Sequence, residues 1–300
     1  MANNLLLIND RSGAVSAIGA KRCVQALSEV ITGSLDVEIA SGDPTELVKI
    51  VRAAIASKPV DHIHLAAGDG TCAAIAGVLT DCDVTLTPLP GGTMNAFSRD
   101  LGFDADLLAA IAQIPDTKAR NVDIAYANEF PFLNNVVFGA YTSVAESREH
   151  LRNAKGVGEI LDSITEIAGT IVHAGTERYK VVVDGIREHI LTNTLMVANN
   201  LYDGADMLRP TRARLNEGRL GCYLAKSKTS IDFLTVLLEA VTGKLTDSEL
   251  IAAHSCVSCR IESSSGILEI SIDGEANELS SPVDIRIKPK ALRILAPARG

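Results

Sequence analysis

A chain of 300 residues and 31.7 kDa has room for two domains, and its 47% apolar and 22% charged content is that of a soluble globular protein, which excludes disordered, collagenous and coiled-coil readings. A net charge of −9, a pI near 5.2 and 4% aromatic residues with no Trp argue against a nucleic-acid binder, which needs a basic face or a stacking platform. No window reaches the ~18 apolar residues of a transmembrane segment, and Met1-Ala2-Asn3-Asn4 lacks the basic start of a signal peptide, so a cytoplasmic protein is expected.

The first ~115 residues alternate short apolar runs with helical patterns. Leu5–Ile8 reads as a buried strand that stops at the turn residues Asn9-Asp10-Arg11-Ser12-Gly13. Residues 14–31 carry Val15, Ile18, Val24, Leu27 and Ile31 at helical spacing, with Gly33 as the stop. Leu35–Ala40 reads as a second strand. Asp43 and Pro44 then supply the N-cap and first position of a helix whose stripe is Leu47, Ile50, Val51, Ala54 and Ile55. His62–Ala66 is a third strand, Cys72–Leu79 a third helix and Val84–Leu89 a fourth strand. Such alternation implies parallel strands with helices on both faces.

After about residue 118 the texture changes. Segments 119–126, 130–138, 178–184, 187–199, 219–225, 256–262, 267–273 and 283–288 read as strands, with hairpin signals at Asp184-Gly185 and Asp273-Gly274. Helical stripes interrupt them at 157–173 and 230–242. The expected fold is therefore α/β: an N-terminal parallel α/β domain over 1–117, followed by an antiparallel β-sandwich domain over 118–300. Cysteines at 23, 72, 82, 222, 256 and 259 are too scattered for a disulfide framework. Cys256 and Cys259, with His254 nearby, have half the spacing of a zinc site, but a second pair is lacking and packed thiols are expected. His62 and His64 share one side of a strand without suggesting a third ligand.

Three loops follow strands of the first half: Asn9-Asp10-Arg11-Ser12-Gly13, Ala67-Gly68-Asp69-Gly70-Thr71 and Pro90-Gly91-Gly92-Thr93-Met94-Asn95. In an open parallel sheet ligands bind at the carboxyl ends of the strands, where glycines let backbone amides approach phosphate and a following helix adds its dipole. One such loop is a tight turn; three at one sheet edge point to a nucleotide. A Walker A pattern is absent, so the chain is not a P-loop enzyme.

These residues resemble the signatures of the diacylglycerol kinase catalytic-domain family, which includes bacterial lipid kinases and the sphingosine and ceramide kinases. Gly68-Asp69-Gly70-Thr71 looks like its GGDGT, and Leu89–Arg99 like its LPLGTGNDFAR. Ile8–Gly13 is similar to its INPxSG, Asn216-Glu217-Gly218-Arg219-Leu220 to its DDGxL, and Asp273-Gly274-Glu275 to its DGE. The five occur in the family's order. Ala67 replaces the first Gly of GGDGT, Ala73 and Ala74 the Asn-Glu after it, Met94 a Gly, Ala96 the Asp of GTGND, and Glu217 an Asp. Ala also follows that Asn in sphingosine kinases.

The resemblance implies an ATP- and Mg²⁺-dependent transfer of phosphate to a lipid hydroxyl. It implies an ATP site lined by Asn9, Arg11, Ser12, Gly13, Ser41, Ala67, Gly68, Asp69, Gly70, Thr71, Gly92, Thr93 and Asn95. Phosphoryl transfer is mostly positioning and charge neutralisation, so Asp69 reads as a Mg²⁺ handle, as a base near the acceptor, or as a plain cap on the helix after it. Thr71 and Thr93 offer hydroxyls to phosphate or cap helices, and Asn95 orients its loop or a phosphate. Glu275 becomes the candidate general base. By the same analogy Glu217 holds a structural Mg²⁺ with the carbonyls of Arg214 and Arg219. The partner is a lipid at the membrane surface, met by peripheral association. The two long helices, with Arg148, Arg152 and Lys155 before one and Lys226 and Lys228 before the other, are candidates for that contact. A homodimer is compatible with this reading. The rivals are an NAD kinase, which shares GGDGT, and a non-catalytic nucleotide-binding homologue.

Overall fold

The computed structural model describes residues 2–40, 43–139, 178–191, 194–203, 211–225 and 251–298. The helices expected over 157–173 and 230–242, their basic residues and Ser41 lie outside the described residues. The chain forms two units. One comprises Met1–Ile124, Phe130–Asn134 and Lys288–Gly300; the other comprises Ala125–Glu129 and Asn135–Ile287. The division expected after residue 117 is a single cut, whereas the observed units interleave, because the last strand gives its second half back to the first unit.

In the first unit β1 (Asn3–Asn9), β2 (Ser34–Ala40), β3 (His62–Ala67) and β4 (Thr85–Pro90) are parallel in the order β2-β1-β3-β4. β1, β3 and β4 are buried almost throughout, as strands covered on both faces must be, while β2 at the edge is mostly exposed. Right-handed crossovers in opposite directions from β1 put the helices on opposite faces. α1 (Gly13–Ile18) and α2 (Ala20–Val30) leave β1 toward β2, whereas α3 (Pro44–Ser57) and α4 (Asp69–Leu79) serve β3 and β4 and pack on each other. α5 (Ala96–Leu101) and α6 (Leu107–Ala112), which the periodicity did not suggest, follow β4, and α6 packs on α2.

Periodicity predicts one helix over 14–31, but Gly19 takes φ +85° and breaks it into α1 and α2. The cap at Asp43 forms as expected, its side chain accepting from the Thr45 amide at 2.8 Å. α4 starts at Asp69 rather than at Cys72, so the second glycine loop is the first turn of a helix.

The second unit is antiparallel. One sheet runs β12-β11-β10-β7-β14-β15, with β7 (Asn135–Gly139), β10 (Thr194–Asn199), β11 (Leu220–Ala225), β12 (Ile251–Cys256), β14 (Ile267–Ile272) and β15 (Glu275–Ser280). The other holds β8 (Arg178–Val183), β9 (Ile186–Leu191), β13 (Ser258–Ser263) and the start of β16 (Val283–Pro297). Phe138 of β7 and Tyr179 of β8 meet edge-on at 6.3 Å between ring centres, both buried, so the sheets face each other as a sandwich. Asp184-Gly185 and Asp273-Gly274 are the expected hairpin turns, all four residues having positive φ.

Several expected strands are divided. Segment 130–138 is β6 (Phe130–Phe132) plus β7, 187–199 is β9 plus β10, and 256–262 falls across the bend at Val257 between β12 and β13. β16 runs on past the expected end at 288, because Pro289 and the positive φ of Lys290 (+53°) make a kink rather than a stop. The Lys290 amide there donates to Asp123 of β5 (Thr117–Ala127) at 2.7 Å, and Asp123 is buried.

Candidate active site

The three glycine loops come together at the carboxyl ends of β1, β3 and β4, within the first unit. The Ala14 amide donates to the Gly91 carbonyl at 2.9 Å, and the Gly91 amide donates to Ala67 at 3.1 Å. Contact is backbone on backbone. A Cβ built at Gly91 would lie 2.5 Å from the Ala67 nitrogen, and one at Gly92 would lie 2.6 Å from the Gly68 Cα. A Cβ at Gly13 would reach the Thr93 hydroxyl at 3.4 Å. Gly91 and Gly92 thus serve a close approach of the second and third loops that no side chain would allow, while Gly13 brings the first loop to within ordinary contact of Thr93.

Two polar side chains lock this arrangement. Asn95 takes φ +48°, and its amide group accepts from the Gly92 N–H at 2.8 Å and donates to the Gly92 carbonyl at 2.7 Å. Asp69 reaches forward to the next helix: its carboxylate accepts from the Ala96 amide at 3.0 Å and the Phe97 amide at 3.1 Å. It is a cap, but of α5 and not of the helix it begins. At the first loop the Asn9 side chain accepts from the Arg11 amide at 3.2 Å, and Ser12 stands at the N-cap of α1. Thr71 is buried, whereas Arg11, Gly13 and Thr93 are exposed. The first-turn amides of α4, at Asp69, Gly70 and Thr71, have no partner within the helix. The loops therefore present a concentration of backbone donors suited to an anion.

The remaining candidate residues belong to the second unit. Glu275 is exposed and opens β15 directly after the Asp273-Gly274 turn. That turn is clasped: the Asp273 amide donates to the Asn135 carbonyl and the Asn135 amide donates to the Asp273 carboxylate, both at 2.9 Å. The Asn135 side chain continues to the Tyr202 hydroxyl at 2.7 Å, and the Tyr202 amide donates to the Tyr223 hydroxyl at 2.9 Å. Burial pushes the Tyr223 phenol above its ordinary range. Arg212 is buried, lies over the Tyr202 ring at 5.9 Å and donates to the Asn199 carbonyl at 2.7 Å. Asn200, also buried, accepts from the Glu217 amide at 3.2 Å. This support was missed from the sequence, where Arg212 in Pro-Thr-Arg-Ala-Arg has the composition of a solvated loop. Glu217 is ion-paired with Arg214 at 3.0 Å, and Arg219 donates to the Ser255 hydroxyl at 3.0 Å. Cys256 and Cys259 are packed thiols, buried with Cys222; burial pushes the Cys256 thiol up to about 12, and the hydrogen bond with Cys222 raises that of Cys259.

Sequence comparison decides the family. The profile of the diacylglycerol kinase catalytic domain matches residues 3–127, and that of a YegS C-terminal NAD kinase beta sandwich-like domain matches 136–296. The chain belongs to the diacylglycerol kinase family. A protein of Staphylococcus epidermidis named "Putative lipid kinase" is 24% identical over 266 residues, which is 87% of this chain and 85% of that one. A relative from Staphylococcus haemolyticus with the same designation is 26% identical over 255 residues, 80% and 77% of the two chains. A crystal structure titled as a putative diacylglycerol kinase from Bacillus anthracis superposes with a TM-score of 0.75 at 22% identity, covering 98% of this chain and 96% of that one. A second from the same organism gives 0.75 at 24% identity over 97% and 96%.

Three of the departures from the diacylglycerol kinase signatures fall on the second and third loops or at the start of α5. Ala67, in place of Gly, is buried under Gly91; Met94 is 48% exposed at the tip of the third loop; Ala96 is the residue whose amide Asp69 holds. Glu217 offers a single carboxylate, a donor type that a hard cation such as Mg²⁺ accepts, and it is ion-paired with the exposed Arg214, a pair worth only about 0–1 kcal/mol. Among the described residues no cluster of three or more His, Cys, Asp or Glu stands ready to hold a metal.

Proposed function

We propose that this member of the diacylglycerol kinase family is a lipid kinase that transfers the γ-phosphate of ATP to a hydroxyl of a membrane lipid. The observation that carries the reading is the convergence of three glycine loops, backbone on backbone, at the carboxyl edge of the parallel sheet. The amides at the start of α4 bind the phosphates, with the hydroxyls of Thr71 and Thr93, and Asn9, Arg11, Ser12, Gly13 and Ser41 border the same nucleotide. Mg²⁺ would supply charge neutralisation on the phosphates when bound, and Glu217, with the carbonyls of Arg214 and Arg219, would hold a structural Mg²⁺. Glu275 takes the proton from the lipid hydroxyl as its oxygen bonds to the γ-phosphorus, and the bond to ADP breaks. An exposed carboxylate on a clasped turn suits that task, being rigid at its base and open to a substrate. Diacylglycerol is the family's default acceptor, and Ala96 keeps ceramide and sphingoid bases in the set. The lipid is met at the membrane surface by peripheral association; no helix among the described residues is long and apolar enough to cross a membrane.

The test is transfer of label from radiolabelled ATP. Label extracted into organic solvent with a lipid acceptor supports the reading. Label on NAD instead favours an NAD kinase, a rival kept in view by the NAD kinase-like sandwich matched over 136–296. Nucleotide binding without transfer to any acceptor marks a non-catalytic homologue.

A further inference from the structure

We infer that Asp69 is a positioning residue, which sets the third loop for nucleotide binding by holding the start of α5, and is not the base of the reaction. The inference rests on the lipid-kinase reading and assigns a role within it. Both carboxylate oxygens are engaged, one by the Ala96 amide at 3.0 Å and one by the Phe97 amide at 3.1 Å, across 27 and 28 residues of sequence. The local residue that should cap α5 is Asn95, a residue type favoured at that position. Its side chain is turned away onto Gly92, making two bonds there and none to the helix. The first two orphan amides of α5, at Ala96 and Phe97, are thus satisfied from the neighbouring loop.

The consequence is mechanical. Asp69 is the first residue of α4 and follows Gly68, whose Cα a Cβ on Gly92 would approach to 2.6 Å. One carboxylate therefore ties the start of α4 to the start of α5, directly behind the place where loops two and three touch. Asn95, held at φ +48°, closes the segment between the tie and the contact. With the tie cut, α5 loses its cap and the Gly91–Asn95 backbone loses its fixed distance from α4. Phosphate oxygens that bridge the two loops then lose aligned donors. The proton of the acceptor is left to Glu275.

The experiment compares wild type with Asp69→Asn and Asp69→Ser in two measurements. One is ADP binding by calorimetry, where no chemistry occurs; the other is the pH profile of kcat with lipid vesicles and saturating ATP. A clamp predicts that Asp69→Asn, which keeps one acceptor and turns an N–H₂ toward the other amide, weakens ADP by about 10- to 100-fold. Asp69→Ser, with a short cap oxygen, serves as the second variant if Asp69→Asn does not fold, and it weakens ADP in the same direction. At saturating ATP the variant keeps the acidic limb of its kcat profile, because the group that takes the proton is still present, even where misaligned phosphates lower kcat itself. The inference is overturned if ADP affinity is unchanged while kcat falls by about 10²-fold or more and the acidic limb disappears, the signature of a lost base. Wild-type protein that binds no ADP would instead sink the nucleotide reading itself, a result distinguishable from failure of the clamp.

Discussion

The two units build their candidate sites in opposite ways. In the first, the site is backbone: glycines let three loops touch, and two short polar side chains, Asp69 and Asn95, fasten them. In the second, the candidate base sits on a turn held by side chains far apart in sequence. Asn135 reaches Asp273 across 138 residues and Tyr202 across 67, and Arg212 is buried behind them. A binding surface for phosphate needs many weak donors at fixed spacing, which backbone supplies. A single proton acceptor needs one well-supported carboxylate, which long-range hydrogen bonds supply.

The largest expected effect breaks the second site alone. Glu275→Gln keeps shape and hydrogen bonding but removes the proton acceptor, and turnover with saturating ATP and lipid falls by about 10²–10⁴. ATP affinity stays near wild type. A variant within about twofold of wild type removes Glu275 from the mechanism.

Next comes a change of pH, which acts on the core beneath the first site. His64 is 2% exposed, its Nε2 lies 3.2 Å from the Asn4 side-chain oxygen, and burial, reinforced by His62, lowers its pKa from 6.5 to about 4. The ring stays neutral in the fold while the unfolded chain takes up a proton near pH 6.5, so stability present at neutral pH is lost as pH falls from 6.5 to 4. The loss is about 3 kcal/mol. His62, also lowered by burial, acts in the same sense. Urea unfolding at pH 7 and pH 4 measures it; equal stabilities would contradict the buried neutral His64.

A smaller effect probes the backbone contact. In Gly92→Ala the new methyl group meets the Gly68 Cα, which cannot swing aside, at a cost of about 1–3 kcal/mol. ATP affinity, by isothermal titration, falls about tenfold, while lipid binding to vesicles is unaffected. In the second unit, Asn135→Ala removes the bond to Tyr202 and lowers stability by about 1 kcal/mol, read from chemical denaturation, with ATP affinity unchanged. The smallest effect is at the cation site. Arg214→Ala frees the Glu217 carboxylate, and a given rise in Tm then needs less Mg²⁺; an unchanged Mg²⁺ response argues against a metal at Glu217.

The same contrast governs what could be read from sequence. Buried parallel strands show as short apolar runs, and glycine loops show as contiguous motifs, so the four parallel strands of the first unit and the members of its three loops were legible, whereas the short helices α5 and α6 were not. Asp69 was legible as a candidate site residue but its partners were not, because they begin a helix 27 residues later. Gly19 looked tolerable inside a helical stripe, since periodicity carries no information about φ. The strand expected over 283–288 runs on to Pro297, because the buried Asp123 captures the backbone at Lys290 beyond Pro289, a contact that no local pattern announces. β15, Glu-Ala-Asn-Glu-Leu-Ser, lies at a sheet edge with a mostly exposed sequence, so hydrophobic alternation hardly marks it. Arg212 had the composition of a solvated loop because burial of a guanidinium depends on Tyr202 and Asn199, which only folding brings near.

The central claim is phosphoryl transfer from ATP to a lipid hydroxyl, and the most direct measurement is the mass of the product. Diacylglycerol, ceramide and sphingosine are presented together in mixed vesicles with ATP and Mg²⁺, and NAD is added to the aqueous phase. The account predicts one or more lipids gaining the mass of a phosphoryl group, with ADP released in equal amount. It is contradicted if the phosphoryl group appears on NAD, or if ATP is bound and no acceptor gains mass.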